Sequence, residues 1–334
     1  MNVPGDTGHP WRLKKFIEYQ KYAPAIDPLT LGEYAVINNL DSDNCIYLAW
    51  LHSMTYCEIT AIYLLDKIPI HKLRQLNTTS LEKFWSKYKD KLIFNSSRKY
   101  VKNMDWFVPL MSQFLKVAAQ DPTNWLYCLA NSDSPRNNFQ AIEHELNSWK
   151  YMGRFSVDLF MEAITAFNNN GLIDLELMGG GYSWKDSSNL TSGLFNIFYH
   201  DEKADLFDKK KLVTAGDMRR LDGYLKIVVS AAEAPLETIP VMSVVNKICS
   251  WRNLFKGARY GGFHHDRQLE NLLLYQENFP EQRDLWDNIF QIRRNLFEPH
   301  MLGELGGWRG IRPARKKLWI QKGLTGVEKN VGEY

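Results

Sequence analysis

Asp266 stands among four cations, Arg252, Lys256, Arg259 and Arg267, beside the turn Tyr260-Gly261-Gly262-Phe263. A carboxylate in that setting can accept a proton as a general base, or only cap the orphan N–H groups of a helix that begins there. Glycines at such a turn let a phosphate or an extruded base approach the main chain. The candidate assignments are Asp266 as base, His264 as an alternative base, and Arg252, Arg259, Arg267 and Tyr260 as substrate and phosphate contacts. His264, His265 and Asp266 are contiguous, and contiguous side chains diverge by about 100° on a helix, so they lack metal-ligand spacing.

Two further constellations carry chemistry. Glu143–Phe167 reads as one helix, with Lys150, Arg154, Asp158 and Glu162 on an i, i+4 stripe and Trp149, Met152, Phe155, Leu159 and Ala163 on an apolar face. Arg154 is then an anion clamp oriented by Asp158, or half of an intrahelical ion pair on a wet face. Gly153 inside that helix costs about 1 kcal/mol against alanine, which implies a close neighbour. Tyr47–Tyr63 is a ring-rich helix, in which Trp50, His52 and Tyr56 either edge a base pocket or fill a core. HExxH, GxxxxGK[ST], a strand-linked GxGxxG and GxSxG are all absent, which removes the metalloprotease, NTPase, dinucleotide-binding and α/β-hydrolase classes.

The elements that must hold these residues are helical. Apolar residues recur at three- and four-residue spacing over Glu33–Leu65, Leu81–Tyr88, Phe107–Ala119, Trp125–Ala130 and Phe139–Ala166. The pattern returns over Leu190–Phe198, Met218–Ala232, Ile239–Phe255, Gln268–Asn278 and Leu285–Leu296. Only Leu172–Met178 alternates like a strand. The expected fold class is all-α, with at most a minor strand or two. Breaks at Pro28, 131–138 and 179–192 suggest an arm over residues 1–33, a helical catalytic domain over 34–300 that can divide into two lobes near 131–138, and a basic tail over 301–334.

With 45% apolar and 24% charged residues, the chain can bury a core without disulfides or metal staples. The longest charge-free runs, Asn44–Cys57 and Ser187–His200, have 14 residues each, too short to span a bilayer. The first residues, MNVPGDTGHPWRLKK, lack an apolar signal core, and the four cysteines form no CxxC pair. Both features lead us to expect reduced thiols and a cytoplasmic location. The net charge of +3 names no partner, but its distribution does. Arg309, Arg312, Arg315, Lys316, Lys317 and Lys322 interleave with Trp308 and Trp319 without an acid between Leu305 and Val327. Lys83–Lys102 holds seven cations against Asp90, with Trp85, Tyr88 and Tyr100 among them. Basic clusters mixed with rings attract a phosphate backbone, so DNA is the expected partner.

At the helix Tyr47–Tyr63, the segment Tyr151-Met-Gly-Arg-Phe155, and Arg259-Tyr-Gly-Gly-Phe263 followed by Asp266-Arg267, the chain resembles the amino acid:DNA transferases, the α-glutamyl/putrescinyl-thymine pyrophosphorylase family. The resemblance extends over roughly Tyr34–Tyr275. It implies a bacteriophage enzyme in the host cytoplasm, with a helical fold related to helix–hairpin–helix DNA glycosylases. The implied substrate is DNA containing 5-hydroxymethyl-deoxyuridine phosphorylated by a partner kinase. An amino acid or polyamine replaces the phosphate or pyrophosphate, and the hypermodified thymine evades restriction. No cofactor, metal or membrane is called for. The chain departs from that fold in having no LxxLPGVG hairpin, the loop Gly179–Gly193 being the nearest substitute. A base-excising glycosylase and a non-catalytic helical DNA-binding protein are the alternatives.

Overall fold

The computed structural model describes residues 33–167 and 263–284 continuously; 13–14, 16–17, 193–194, 197–198, 221, 223–224, 227–228, 248, 251, 286–288, 291 and 316–317 are described individually. Every regular element among them is helical, in agreement with an all-α class. The strand-like Leu172–Met178 lies outside the described residues. The chain forms two compact units: Met1–Pro28 with Glu176–Arg267 and Arg294–Tyr334, and Leu29–Leu175 with Gln268–Arg293. The polar stretch 131–138 falls inside the second unit, where it leads into a helix.

The second unit is built around one helix. In chain order its helices are α1 (Tyr34–Ile37), α2 (Ser42–Thr55), α3 (Glu58–Lys67), α4 (Ile70–Leu73), α5 (Thr78–Tyr88) and α6 (Lys99–Asn103). They are followed by α7 (Phe107–Val117), α8 (Pro122–Leu129), α9 (Pro135–Ser148), α10 (Arg154–Phe167) and, from Gln268 onward, α11 (Phe263–Asn278). Every residue of α2 from Ile46 to Thr55 is buried. A helix that is apolar all round belongs inside a bundle, and α10 packs along it while α3, α8, α4 and α6 touch its remaining sides. Tyr47 and Trp50 stack on Phe114 of α7 at centroid distances of 5.5 and 5.1 Å, and Trp50 meets Trp149 edge-on at 5.2 Å. Hydroxyls enter this core because they bond to carbonyls one turn back: Ser53 to Trp50 O at 2.7 Å and Thr55 to Leu51 O at 2.9 Å.

Local chemistry sets where helices start. Asp41, Asn77, Asp121 and Ser134 each accept a hydrogen bond from the backbone N–H three residues on, capping α2, α5, α8 and α9. Pro122 and Pro135 occupy first turns, where no N–H is needed. Asp43 then ties two of these starts to the end of a third helix. It accepts from Arg74 Nη2 at 2.5 Å, Thr123 Oγ1 at 2.6 Å and Thr123 N at 3.1 Å, so α2, the end of α4 and the first turn of α8 share one carboxylate.

Two helices expected to be continuous are broken. The run Glu33–Leu65 bends at Tyr56, which closes α2 with left-handed φ 46° and ψ 40°. The run Glu143–Phe167 divides at 149–153: α9 ends at Ser148, Tyr151 takes φ 70°, and α10 begins at Arg154. Lys150 is therefore not on a stripe with Arg154. Gly153 precedes α10, and a Cβ there would meet nothing within 4 Å, so no close packing partner explains the glycine.

In the first unit, the described residues form small ring contacts. Phe16 meets Trp251 edge-on at 5.3 Å, and Phe198 stacks on Tyr224 at 4.2 Å. Gly193, placed by the sequence at the end of a loop, is helical, and a Cβ on it would lie 2.2 Å from the carbonyl oxygen of Ile248. Among the described residues no helix is long and apolar enough to cross a membrane.

Candidate functional site

The most built polar feature of the second unit is Arg98. It immediately precedes α6 and is 1% exposed. Its Nε donates to Ser53 O at 2.8 Å and its Nη2 to the same carbonyl and to Ser156 Oγ, the latter at 2.5 Å; Nη1 donates to the Tyr100 hydroxyl. The cation thus meets an orphan carbonyl at the C-terminal end of α2, where the helix dipole is negative. Its remaining acceptors are neutral oxygens, and no carboxylate among the described residues pairs with it. Burial pulls the guanidinium below its ordinary pKa, opposed by Tyr100, yet an arginine remains charged at neutral pH.

Around this cation runs a connected arc of rings. His52 meets Tyr56 edge-on at 5.6 Å, and Tyr56 meets Phe155 edge-on at 5.6 Å. The Arg98 guanidinium carbon is 5.8 Å from the Phe155 centroid and 5.4 Å from that of Tyr100. Tyr100 contacts Trp106 at 5.2 Å, Trp106 stacks on Tyr151 at 4.6 Å, and Lys150 lies 4.9 Å over Tyr151. Tyr56, Tyr100, Trp106 and Tyr151 are half-buried and Phe155 is 45% exposed. Tyr56 and Tyr151 are two of the three described non-glycine residues with positive φ, a conformation that costs about 1–2 kcal/mol per residue.

The proposed base-pocket residues part company at this arc. Tyr56 belongs to it, whereas Trp50 is fully buried against Phe114, Trp149 and Phe160, a core residue with no surface to offer a base. His52 is also buried and shares a 2.8 Å hydrogen bond with buried Glu33, so it supports Tyr56 from beneath. Phe155, expected on the apolar face, is instead among the most exposed large apolar residues described. Glu162 is buried, so the expected wet stripe does not hold at that position, and Asp158 is half-buried.

The other assignments are reached unevenly. Asp266 is 0% exposed and lies inside the first turn of α11, which starts at Phe263; it is therefore not the residue preceding the helix that a cap would be. Arg267 is half-buried. Arg154 and His264 are described by backbone alone, while Arg252, Arg259, Tyr260, Arg309, Arg312 and Arg315 lie outside the described residues. Of the tail cations, Lys316 is half-buried and Lys317 exposed, both helical. Within the basic run Lys83–Lys102, three cations serve the fold: Arg98 as above, Lys89 paired with Asp105, and Lys102 bonded to Leu92 O at 3.0 Å. Lys83, Lys87, Lys91 and Lys99 are exposed.

A concavity of about 610 Å³ lies between α5 and α7, lined by Glu82, Trp85, Lys89, Asp105 and Ser112 among others. Asp105, with φ 55°, accepts from Trp85 Nε1 at 2.8 Å and from Lys89. These bonds outweigh desolvation and hold its carboxyl below the usual range. Thiolate chemistry is disfavoured at two cysteines, since burial pushes both Cys45 and Cys57 up to about 11. No group of three or more metal-ligating side chains occurs among the described residues. Sequence reasoning missed Arg98 as a site residue because its partners, Ser53 and Ser156, lie 45 and 58 positions away. The available signal was the segment Tyr151–Phe155, two of whose residues join the arc. No protein family, curated protein or solved structure matches this chain.

Proposed function

We propose that this chain is a DNA-modifying transferase acting on phosphorylated 5-hydroxymethyl-deoxyuridine, with an amino acid or polyamine as the second substrate. The observation that carries the reading is the ring arc around Arg98, a surface rich in aromatic faces and positive charge with exposed lysines beside it. A base modified by an enzyme must leave the helical stack, and it does so against aromatic walls and backbone cations. The transfer balances without a cofactor. The amine nitrogen bonds to the 5-methylene carbon as the carbon–oxygen bond to phosphate breaks, its electron pair leaving with the phosphate or pyrophosphate. The ammonium proton passes to a base, for which Asp266 and His264 are the proposed groups, and Arg154, Arg259 and Arg267 are the proposed partners of the leaving group.

The test is nucleoside mass spectrometry on DNA carrying the phosphorylated base, incubated with the protein and a panel of amines. The expected result is a mass gain on the intact nucleoside with phosphate released. Free base or an abasic site identifies a glycosylase instead, and affinity without any mass change identifies a non-catalytic binder. Asp266→Asn is expected to lower turnover by about 10²–10⁴-fold, with partial rescue as pH rises and free amine accumulates. Full turnover in a folded Asn variant removes Asp266 from the chemistry.

A further inference from the structure

We infer that the arc formed by Tyr56, Phe155, Tyr100, Trp106 and Tyr151 around Arg98 is a stacking surface for the unpaired bases of a single-stranded nucleic acid segment. The inference rests on the reading that nucleic acid is the partner and is independent of the transfer chemistry. Three observations carry it. The rings form two groups, Tyr56 with Phe155 and Tyr100 with Trp106 and Tyr151, whose touching centroids are 4.6–5.6 Å apart; Arg98 bridges them, and none of the rings is fully buried. A half-exposed Phe155 at the start of a helix gains nothing from water, whereas every base presents an apolar π-face to it. Three cations attend the rings: Arg98 is buried beneath them, Lys150 sits over Tyr151, and Lys99 is exposed beside Tyr100.

The neighbouring acids are already engaged. Asp105, next to Trp106, is held by Lys89 and Trp85, and Glu33 is hydrogen-bonded to His52 in the interior. Arg98 itself has five N–H bonds and makes four hydrogen bonds through them, so one Nη1–H has no acceptor among the described residues. A guanidinium whose partners are neutral oxygens and a helix C-terminus, with no carboxylate beside it among the described residues, is only partly neutralised within the protein. Cations without a competing carboxylate fit a polyanion, and they favour it over a proline-rich peptide, the other ligand that half-buried rings accept. Paired bases have both faces covered, so the stacking partner is unpaired.

The experiment is fluorescence anisotropy of the full chain with a short labelled oligothymidylate, with inorganic polyphosphate of matched charge and a proline-rich peptide as competitors. Two variants remove rings without endangering the fold. Tyr151→Gly places glycine at a positive φ that it prefers, and Phe155→Ala puts a stronger helix former at an exposed position. Each is expected to weaken oligothymidylate binding by about 5–150-fold while leaving its salt dependence and polyphosphate binding unchanged. Wild-type affinity in both variants overturns the inference. So do absent oligothymidylate binding, equal displacement by polyphosphate, and preferential binding of the peptide. Ring-dependent binding without any nucleoside mass change leaves this inference standing and removes the transferase. Modification of DNA with ring-independent binding does the reverse.

Discussion

At the scale of single residues, the fold is held by side chains that answer more than one helix end. Asp43 is the clearest case, because its carboxylate serves Arg74 and both donors of Thr123. Burial alone would raise its pKa, but those hydrogen bonds and the Arg74 charge together hold it below the usual carboxylate range. A carboxyl depressed in the folded state contributes its full stability above the unfolded pKa of about 3.9 and loses it as pH falls through the folded value. Asp43→Asn should therefore lower stability by about 1–2 kcal/mol near neutral pH, the low end for charged hydrogen bonds because Asp43 remains 25% exposed. The gap between wild type and variant should be constant above about pH 5 and close below about pH 3.9. Urea unfolding at a series of pH values measures it, and a gap independent of pH across that range contradicts the assignment. Arg98 follows the same logic with opposite charge: its fork reaches Ser53 and Ser156 together, which a lysine ammonium cannot reproduce.

At the scale of elements, α2 decides the bundle. Its lack of a polar face from Ile46 onward means that neighbours must surround it, and α10 covers the longest side. The left-handed Tyr56 ends it where most helices use glycine, and the cost is borne at the rim of the ring arc. A helix in the first unit makes a contact of the opposite kind, in which absence of a side chain is required. Gly193 lets its backbone approach the Ile248 carbonyl, and a methyl group there would sit 2.2 Å from that oxygen. Gly193→Ala is expected to cost about 1–3 kcal/mol through this overlap. Gly223 is helical, and a methyl group added to it would meet nothing within 4 Å, so Gly223→Ala should instead gain about 0.5–1 kcal/mol. Thermal melts should rank Gly223→Ala above wild type and Gly193→Ala below it, and the reverse order excludes the close approach.

At the scale of the whole molecule, charge is distributed rather than accumulated, which makes its role a question of salt. Neutralising Arg315, Lys316 and Lys317 together should lower the slope of log affinity against log salt by about 2–3 if each meets a phosphate. A slope equal to wild type, read from the same anisotropy titration, takes the tail off the binding surface. The sequence by itself determined the all-α class, because three- and four-residue spacing of apolar side chains is a local property that α5, α7, α8 and α10 each repeat. Helix starts were also local, since a cap and its N–H are three residues apart. Two interruptions were not legible, at Tyr56 and at 149–153, because neither carries the glycine in a left-handed position that would mark it. Tertiary structure alone decided which rings became core and which became surface. Trp50 and Phe155 are both aromatic residues at helical spacing, yet one meets Phe114 and Trp149 while the other is left 45% exposed beside Arg98. Periodicity names the side of a helix that a residue occupies; only the packing of α2, α6 and α10 places a guanidinium under one ring and a phenyl group over another.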